Sequence, residues 1–343
     1  MAKILVIRLS AIGDVAMTVP VIHSLAMQYP QHQITVLSKP NMSALFKQLP
    51  SNVSFKGVDT KEKHRGFQGL NRLYDELKEE GYDYIADFHD VLRTKYLRLR
   101  FRLGGKRIAY IDKGRKEKKA LTKHANKSFQ PLKTSFQRYA DVLAELGLPV
   151  QLTFRSIYEK GKGDITSLFS LTGEKGANHW IGMAPFATHP GKIYPTEKIK
   201  EIIKQLSNRS DIRLFLFGGG KQEIEILSQW EKEFPSTVCV AGKLKWDTEL
   251  ALISHLNVMV SMDSSNMHLA SMVGTPVVSI WGATHPYAGF MGWNQSADDA
   301  VQVDLPCRPC SIYGNKPCSR GDYACLHAIS TQTIVEQIEK YLS

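Results

Sequence analysis

The sequence predicts an α/β protein built as two doubly wound, parallel-sheet domains facing a central cleft. Three observations carry this prediction. Apolar runs of strand length alternate with segments of three-to-four-residue apolar spacing, which is the pattern of βαβ units. The alternation recurs as a second series beyond residue 180, and 343 residues are more than one core usually organises.

The first series reads "KILVIRL", "ITVLS", "VSFKGVD" and "YDYIADFHD". In the helical segment after the first of these, Val15, Val19, Ile22 and Ala26 fall on one face. The second series reads "WIGMAPF", "IRLFLFGGG", "TVCVAG", "NVMVSMD" and "TPVVSIWG", runs apolar on both faces as buried parallel strands require. Between the series, "EKGKGDITSLFSLTGEKGAN" has the Gly, Ser and Lys content of a linker. The expected domains are therefore residues 1–165 and 166–343. The capped final segment "STQTIVEQIEKYLS" reads as a helix, free to pack back on the first domain.

With 43% hydrophobic and 22% charged residues, the composition is that of a globular chain rather than a disordered or fibrous one. No run approaches the ~20 apolar residues of a bilayer span. The opening "MAKILVIRLS" has too short an apolar run before Arg8 for a signal peptide, so a cytoplasmic protein with reduced cysteines is expected. Four of the five cysteines follow the spacing C-x2-C-x7-C-x6-C at Cys307, Cys310, Cys318 and Cys325, which admits a structural zinc site, plain loop thiols or disulfides formed on crystallisation.

The net charge of +11 is concentrated: from Arg93 to Lys133 fifteen Lys or Arg residues face only Asp112 and Glu117. Such a stretch suits phosphorylated ligands, anionic lipid or nucleic acid, or is simply a solvated surface.

In open parallel sheets ligands bind beyond the carboxyl ends of the strands, which directs attention to four turns. In "VSMDSSNMHLASMVGTP" a strand ends at Asp263 and a helix starts at Ser264 or Ser265; its free N–H groups suit a phosphate, with His268 on the same face. A capping serine and a core histidine would account for the same residues. In "APFATHPGKIYP" Thr188 and Lys192 offer a hydroxyl and a cation to a diphosphate. "LFGGGKQEIE" permits close approach of a ligand but is not the G-x-G-x-x-G of a dinucleotide dehydrogenase. "RLSAIGDVAMTVPVI" differs from all of these, because Asp14 would repel a phosphate: it is either a carboxylate stabilised by a helix dipole or a general base. Gly13 is expected to turn the chain at the strand's end and Pro20 to kink or restart the helix.

Taken in order, "KILVIRLSAIGDVAMTVPVI", the Thr188-to-Pro195 segment and "SMDSSNMHLASMVGTPVVSIWG" resemble glycosyltransferase family 9, the ADP-heptose:lipopolysaccharide heptosyltransferases. The resemblance implies a GT-B fold of two Rossmann-like domains and inverting, metal-independent transfer of heptose from ADP-heptose to the lipopolysaccharide inner core. It implies Asp14 as the base on the acceptor hydroxyl and Lys192 on the donor phosphates. Thr188, Ser264 and Ser265 would hydrogen-bond the diphosphate and Asp263 a sugar, with His268 in the same motif. Leu244, in "AGKLKW", would mark the adenine site and Glu223 the ribose contact.

Ser10, Gly13, Arg93 and Lys95 fall on the acceptor side. No metal or cofactor is implied beyond the ADP-sugar donor. The acceptor would be an anionic, Kdo-lipid A type saccharide, and the basic stretch would support transient contact with the inner face of the inner membrane. Another nucleotide sugar on the same fold is the nearer alternative; a nucleic-acid-binding protein is the distant one, lacking any binding motif.

Overall fold

A computed structural model describes residues 1–158 and 161–342. The chain divides into two compact units, residues 1–113 with 133–157, and residues 114–132 with 158–343.

In the first unit β1 (Lys3–Ile7), β2 (Gln33–Ser38), β3 (Val53–Gly57), β4 (Tyr84–Asp87) and β5 (Arg107–Tyr110) form a parallel sheet in the order β3-β2-β1-β4-β5. β1 lies at its centre because Ile4, Leu5, Val6 and Ile7 are all fully buried, a run that only a strand covered on both faces tolerates. The second unit holds β6 (His179–Ala184), β7 (Ile212–Leu216), β8 (Thr237–Cys239), β9 (Val258–Met262), β10 (Val277–Ile280) and β11 (Ala300–Val301), ordered β11-β10-β9-β6-β7-β8, again parallel. Each sheet starts at an interior strand, winds outward on one side, then returns to wind outward on the other. The order therefore reverses between β1 and β4 in one unit and between β6 and β9 in the other.

Several expectations are corrected. The sequence pattern left out β5 and β11: the first lies inside the basic stretch, and the second has two residues. The division expected after residue 165 lies after Ile157. The segment read as a linker belongs to the second unit over its described part: the Gly163 N–H donates to Ser254 Oγ at 3.0 Å, and a Cβ there would stand 2.6 Å from Ala251. Glu159 and Lys160 of that segment lie outside the described residues.

The last helix, Thr331–Glu339, packs on the second unit. Ile334, Val335 and Ile338 share a core with Ile199, Ile203 and Leu206 of helix Thr196–Ser207.

The basic stretch is not one surface, since residues 114–132 leave the first unit and fold with the second. There Lys127 Nζ donates to the carbonyls of Pro306, Arg308 and Pro309, and Lys118 lies 4.4 Å from the Phe290 ring centroid. No helix among the described residues is long and apolar enough to cross a membrane.

All five tryptophans lie in the second unit, so their fluorescence follows that unit. Ile338→Ala, which empties a fully buried site, should cost ~2–5 kcal/mol and lower the denaturant midpoint seen by tryptophan emission. An unmoved tryptophan transition would contradict the packing of the last helix on this unit.

Candidate functional site

At the β1/β4 reversal the chain leaves β1 through Arg8, Leu9 and Ser10 into a helix of only five residues, Ile12–Ala16. Asp14 sits in its first turn. Arg8, with a nearly buried side chain, meets it with Nη2 2.6 Å from Asp14 Oδ2, and the Ala11 N–H donates to the same oxygen at 3.2 Å. Both contacts use Oδ2. Arg8 is itself fixed by donating from Nη1 to the Phe88 carbonyl at 2.8 Å.

Gly13 does not turn the chain, as had been expected. It is a buried residue inside the short helix and is absent from the glycines with positive φ. Pro20 removes no helical hydrogen bond, because a new helix, Val19–Gln28, starts one residue before it, and an N–H at that first-turn position would have no intrahelical partner to lose. The helix restarts at Val19, with Pro20 as its second residue, so of the two expectations the restart is the one seen.

From β4 the segment Asp87–Asp90 supplies residues that the sequence pattern had not singled out. Asp87 is fully buried, and its Oδ1 accepts the N–H groups of His89 and Asp90 at 2.9 and 3.0 Å. Arg98 reaches Asp90 Oδ1 at 2.9 Å and Asp87 Oδ2 at 3.4 Å. His89 Nδ1 accepts the Leu9 N–H at 3.3 Å, which ties the two strand ends together and puts the ring proton on Nε2. Burial first, then Arg8 and Lys113, push the His89 imidazole down to about 3, so it is neutral at physiological pH. The signal for this group was present in "ADFHD": polar residues closing a strand that adjoins the first one. Arg93 and Lys95 follow in helix Leu92–Leu103, and Lys95 Nζ lies 3.8 Å from Asp90 Oδ1.

In the second unit Lys192 ends a tight turn, Pro190–Lys192, after β6, and its Nζ lies 2.9 Å from Asp263 Oδ2 at the end of β9. The reversal of strand order thus brings Lys192 onto Asp263, a partner the sequence had offered to a sugar. Helix Ser265–Met272 starts beside them. Ser264 occupies its N-cap position but makes no side-chain cap; its Oγ lies 3.3 Å from Ser261 Oγ. The Ser264 side chain therefore leaves the first-turn N–H groups, including that of Ser265, uncapped, an arrangement open to a phosphate. His268 is buried in the same helix, and Thr188 is exposed on the loop before Lys192.

Glu223 and Leu244 follow β7 and β8, one and two strands away from this point. Glu223 Oε2 accepts the Gly219 N–H at 2.8 Å, and Leu244 is half-buried in the turn that leads to helix Trp246–Ser254.

The Lys192 turn is buttressed by the cysteine-bearing loop. The Gly191 N–H donates to the Gly314 carbonyl at 3.2 Å, the Ala283 N–H to the Gly191 carbonyl at 2.8 Å, and the Cys310 N–H to the Ala283 carbonyl at 3.1 Å. Gly314 has φ +72°, and a Cβ there would stand 2.6 Å from Lys192 Cγ, so glycine is needed both for the turn and for the lysine's path. All five cysteines are free thiols, and no group of three or more ligating side chains among the described residues is placed to hold a metal. Burial pushes Cys325 up to about 11.

Two doubly wound parallel sheets, one presenting a carboxylate and the other a lysine beside a helix start, are the architecture of the GT-B class of two-domain α/β proteins. A sequence profile described as glycosyltransferase family 9 (heptosyltransferase) matches residues 70–319, and the chain belongs to that family. It is similar to the lipopolysaccharide core heptosyltransferase OpsX of Haemophilus influenzae, 24% identical over 82% of this chain and 79% of the relative. In fold it is similar to the glycosyl transferase family 9 protein of Veillonella parvula, with a TM-score of 0.75, 19% identity and coverage of 99% and 97% of the two chains. It is likewise similar to the E. coli heptosyltransferase WaaC solved with ADP, with a TM-score of 0.69, 17% identity and 99% of each chain covered.

The His89 environment sets an acid limit on stability. Its folded value, about 3, lies below the ~6.5 of an exposed histidine, so between those pH values the unfolded chain binds the extra proton and stability falls as pH falls. His89→Gln should flatten that slope by up to ~1.4 kcal/mol per pH unit in denaturant titrations. A slope equal to the parent's would show that His89 titrates normally in the folded protein.

Proposed function

We propose that the chain transfers heptose, with inversion and without a catalytic metal, from ADP-heptose to the inner-core saccharide of a lipid-linked acceptor. The observation that carries this reading is the division of chemistry between the two units. One strand-order reversal offers a carboxylate with an open oxygen; the other offers an ammonium and unpaired helix N–H groups.

In this reading Asp14 Oδ1 accepts the proton of the acceptor hydroxyl as that oxygen bonds to the anomeric carbon. The bond from that carbon to the diphosphate breaks on the opposite face, and its electron pair stays on the phosphate oxygen. Arg8 holds Asp14 in place and does not take the proton. The sugar passes through oxocarbenium character, and the charge growing on the leaving oxygen is met by Lys192, the N–H groups at Ser264 and Ser265, and the Thr188 hydroxyl. Those groups supply the positive field a divalent ion would otherwise provide, which supports metal independence.

Lys192 lies on Asp263 before the donor enters, so it reaches the diphosphate by sharing that carboxylate or exchanging it for phosphate. Glu223 Oε1 is the oxygen left for a ribose hydroxyl, and the turn at Leu244 holds adenine through main chain. A WaaC structure solved with ADP-2-deoxy-2-fluoro heptose, in a protein of the same fold, supports an ADP-sugar donor. Arg93 and Lys95 are placed for the acceptor's carboxylate and phosphate groups. The protein works at the cytoplasmic face of the inner membrane, in peripheral contact with it.

Asp14→Asn should lower kcat by ~10² to 10⁴ with ADP-heptose and a Kdo-bearing acceptor, while ADP binding by calorimetry stays at the parent's value. Lys192→Ala should lower kcat by ~10² to 10³ and weaken ADP binding as well. Near-parental turnover in Asp14→Asn would overturn the assignment of the base.

A further inference from the structure

The helix Leu92–Leu103, "LRTKYLRLRFRL", has twelve residues and none of them is acidic. One face is buried in the first unit through Thr94, Leu97 and Phe101. Helical periodicity puts Leu92, Tyr96, Leu99 and Leu103 together on the opposite face. These leucines are not covered: Leu92 is 86%, Leu99 56% and Leu103 79% exposed. Phe67, 67% exposed, extends the apolar surface sideways, its ring 5.3 Å from that of Tyr96 in an edge-on contact.

Cations line both edges of the stripe, Lys95 and Arg102 on one side and Arg93 and Arg100 on the other. Arg100 is held there by donating to Asn71 Oδ1 at 2.5 Å and to the Tyr96 hydroxyl at 2.8 Å. An ordinary surface helix exposes its charges and buries its leucines. This one buries one apolar face and exposes a second.

We infer that this face docks on the surface of an anionic lipid bilayer. A row of leucines between two rows of cations is what a headgroup boundary accepts: the side chains enter the acyl margin while Lys and Arg reach phosphate oxygens. The stripe is the outer side of a single helix rather than a groove, which favours a lipid surface over a protein partner. The positive charge on both edges requires that surface to be negative. The same helix begins two residues after Asp90, so the docked element leads directly from the β4 end of the candidate site. The purpose of the contact rests on the lipid-borne acceptor proposed above, but binding to a bilayer can be read without donor or acceptor.

Sedimentation with vesicles tests it. The parent should associate with phosphatidylglycerol/phosphatidylcholine vesicles, weaken as salt is raised, and stay in solution with phosphatidylcholine alone. The triple variant Leu92→Ser, Leu99→Ser, Leu103→Ser should lose at least ~10-fold in association with an unchanged unfolding midpoint, since those side chains are already exposed. Arg102→Glu should shift association to lower salt. A parent that binds no vesicle, or a triple variant that binds like the parent, overturns the inference.

Transfer to a water-soluble saccharide acceptor, assayed in parallel, should be the same for parent and triple variant. Its absence in both would count against the proposed reaction and leave the vesicle result intact.

Discussion

Where two adjacent parallel strands send their connections to opposite sides of the sheet, no crossover covers their carboxyl ends, and backbone and side chains there stay open. Most of what this chain can do chemically depends on that constraint, applied twice. Between β1 and β4 it leaves room for Asp14, Arg8 and His89; between β6 and β9 it leaves room for Lys192, Asp263 and the start of helix Ser265–Met272. The fully buried runs in the central strands hold those openings rigidly, because a strand covered on both faces has little freedom to shift register.

The charges at both openings are paired inside their own unit. Arg8 with Asp14, and Lys192 with Asp263, are close ion pairs of mostly low exposure, a situation in which desolvation consumes much of the Coulombic gain. Such pairs contribute little to stability; what they fix is geometry. Arg8 is oriented by the Phe88 carbonyl and in turn restricts Asp14 to an orientation with one free oxygen. Lys192 follows a path that Gly314 leaves open, in a turn stitched by backbone hydrogen bonds to the loop that carries Cys310. The cysteine-rich stretch thus has a mechanical part in the site whatever its thiols do.

The central strands were legible in the sequence because burial on both faces leaves an uninterrupted apolar run, as in "KILVI" and "VMVSM". β5 was not, because "RIAY" at a sheet edge lacks such a run, and neither was β11, where two residues make no pattern. Asp14, Lys192 and Asp263 could be singled out because each stands in a turn straight after a recognisable strand. Their partners could not: the contact between Lys192 and Asp263 depends on β6 lying beside β9, a fact of strand order that local sequence does not encode. For the same reason Arg8 was passed over, since a buried arginine becomes intelligible only with its carboxylate and carbonyl in place. The basic stretch misled in a different way: composition takes no account of a chain crossing from one folded unit to another in the middle of a charged segment.

That crossing bears on how the two halves could be recombined, by evolution or by design. The ion pair at each opening lies within one unit, so exchanging one half for that of a relative should carry that pair along. A single cut near residue 157 would not achieve this, because the chain passes between units after Lys113, after Leu132 and again after Ile157. Residues 114–132 from a foreign parent would bring the wrong partner for the carbonyls that Lys127 holds at Pro306, Arg308 and Pro309. A working chimera has to inherit that strap from the same parent as the second half, and a recombination junction inside a lysine-rich surface segment is one that an alignment alone would not suggest.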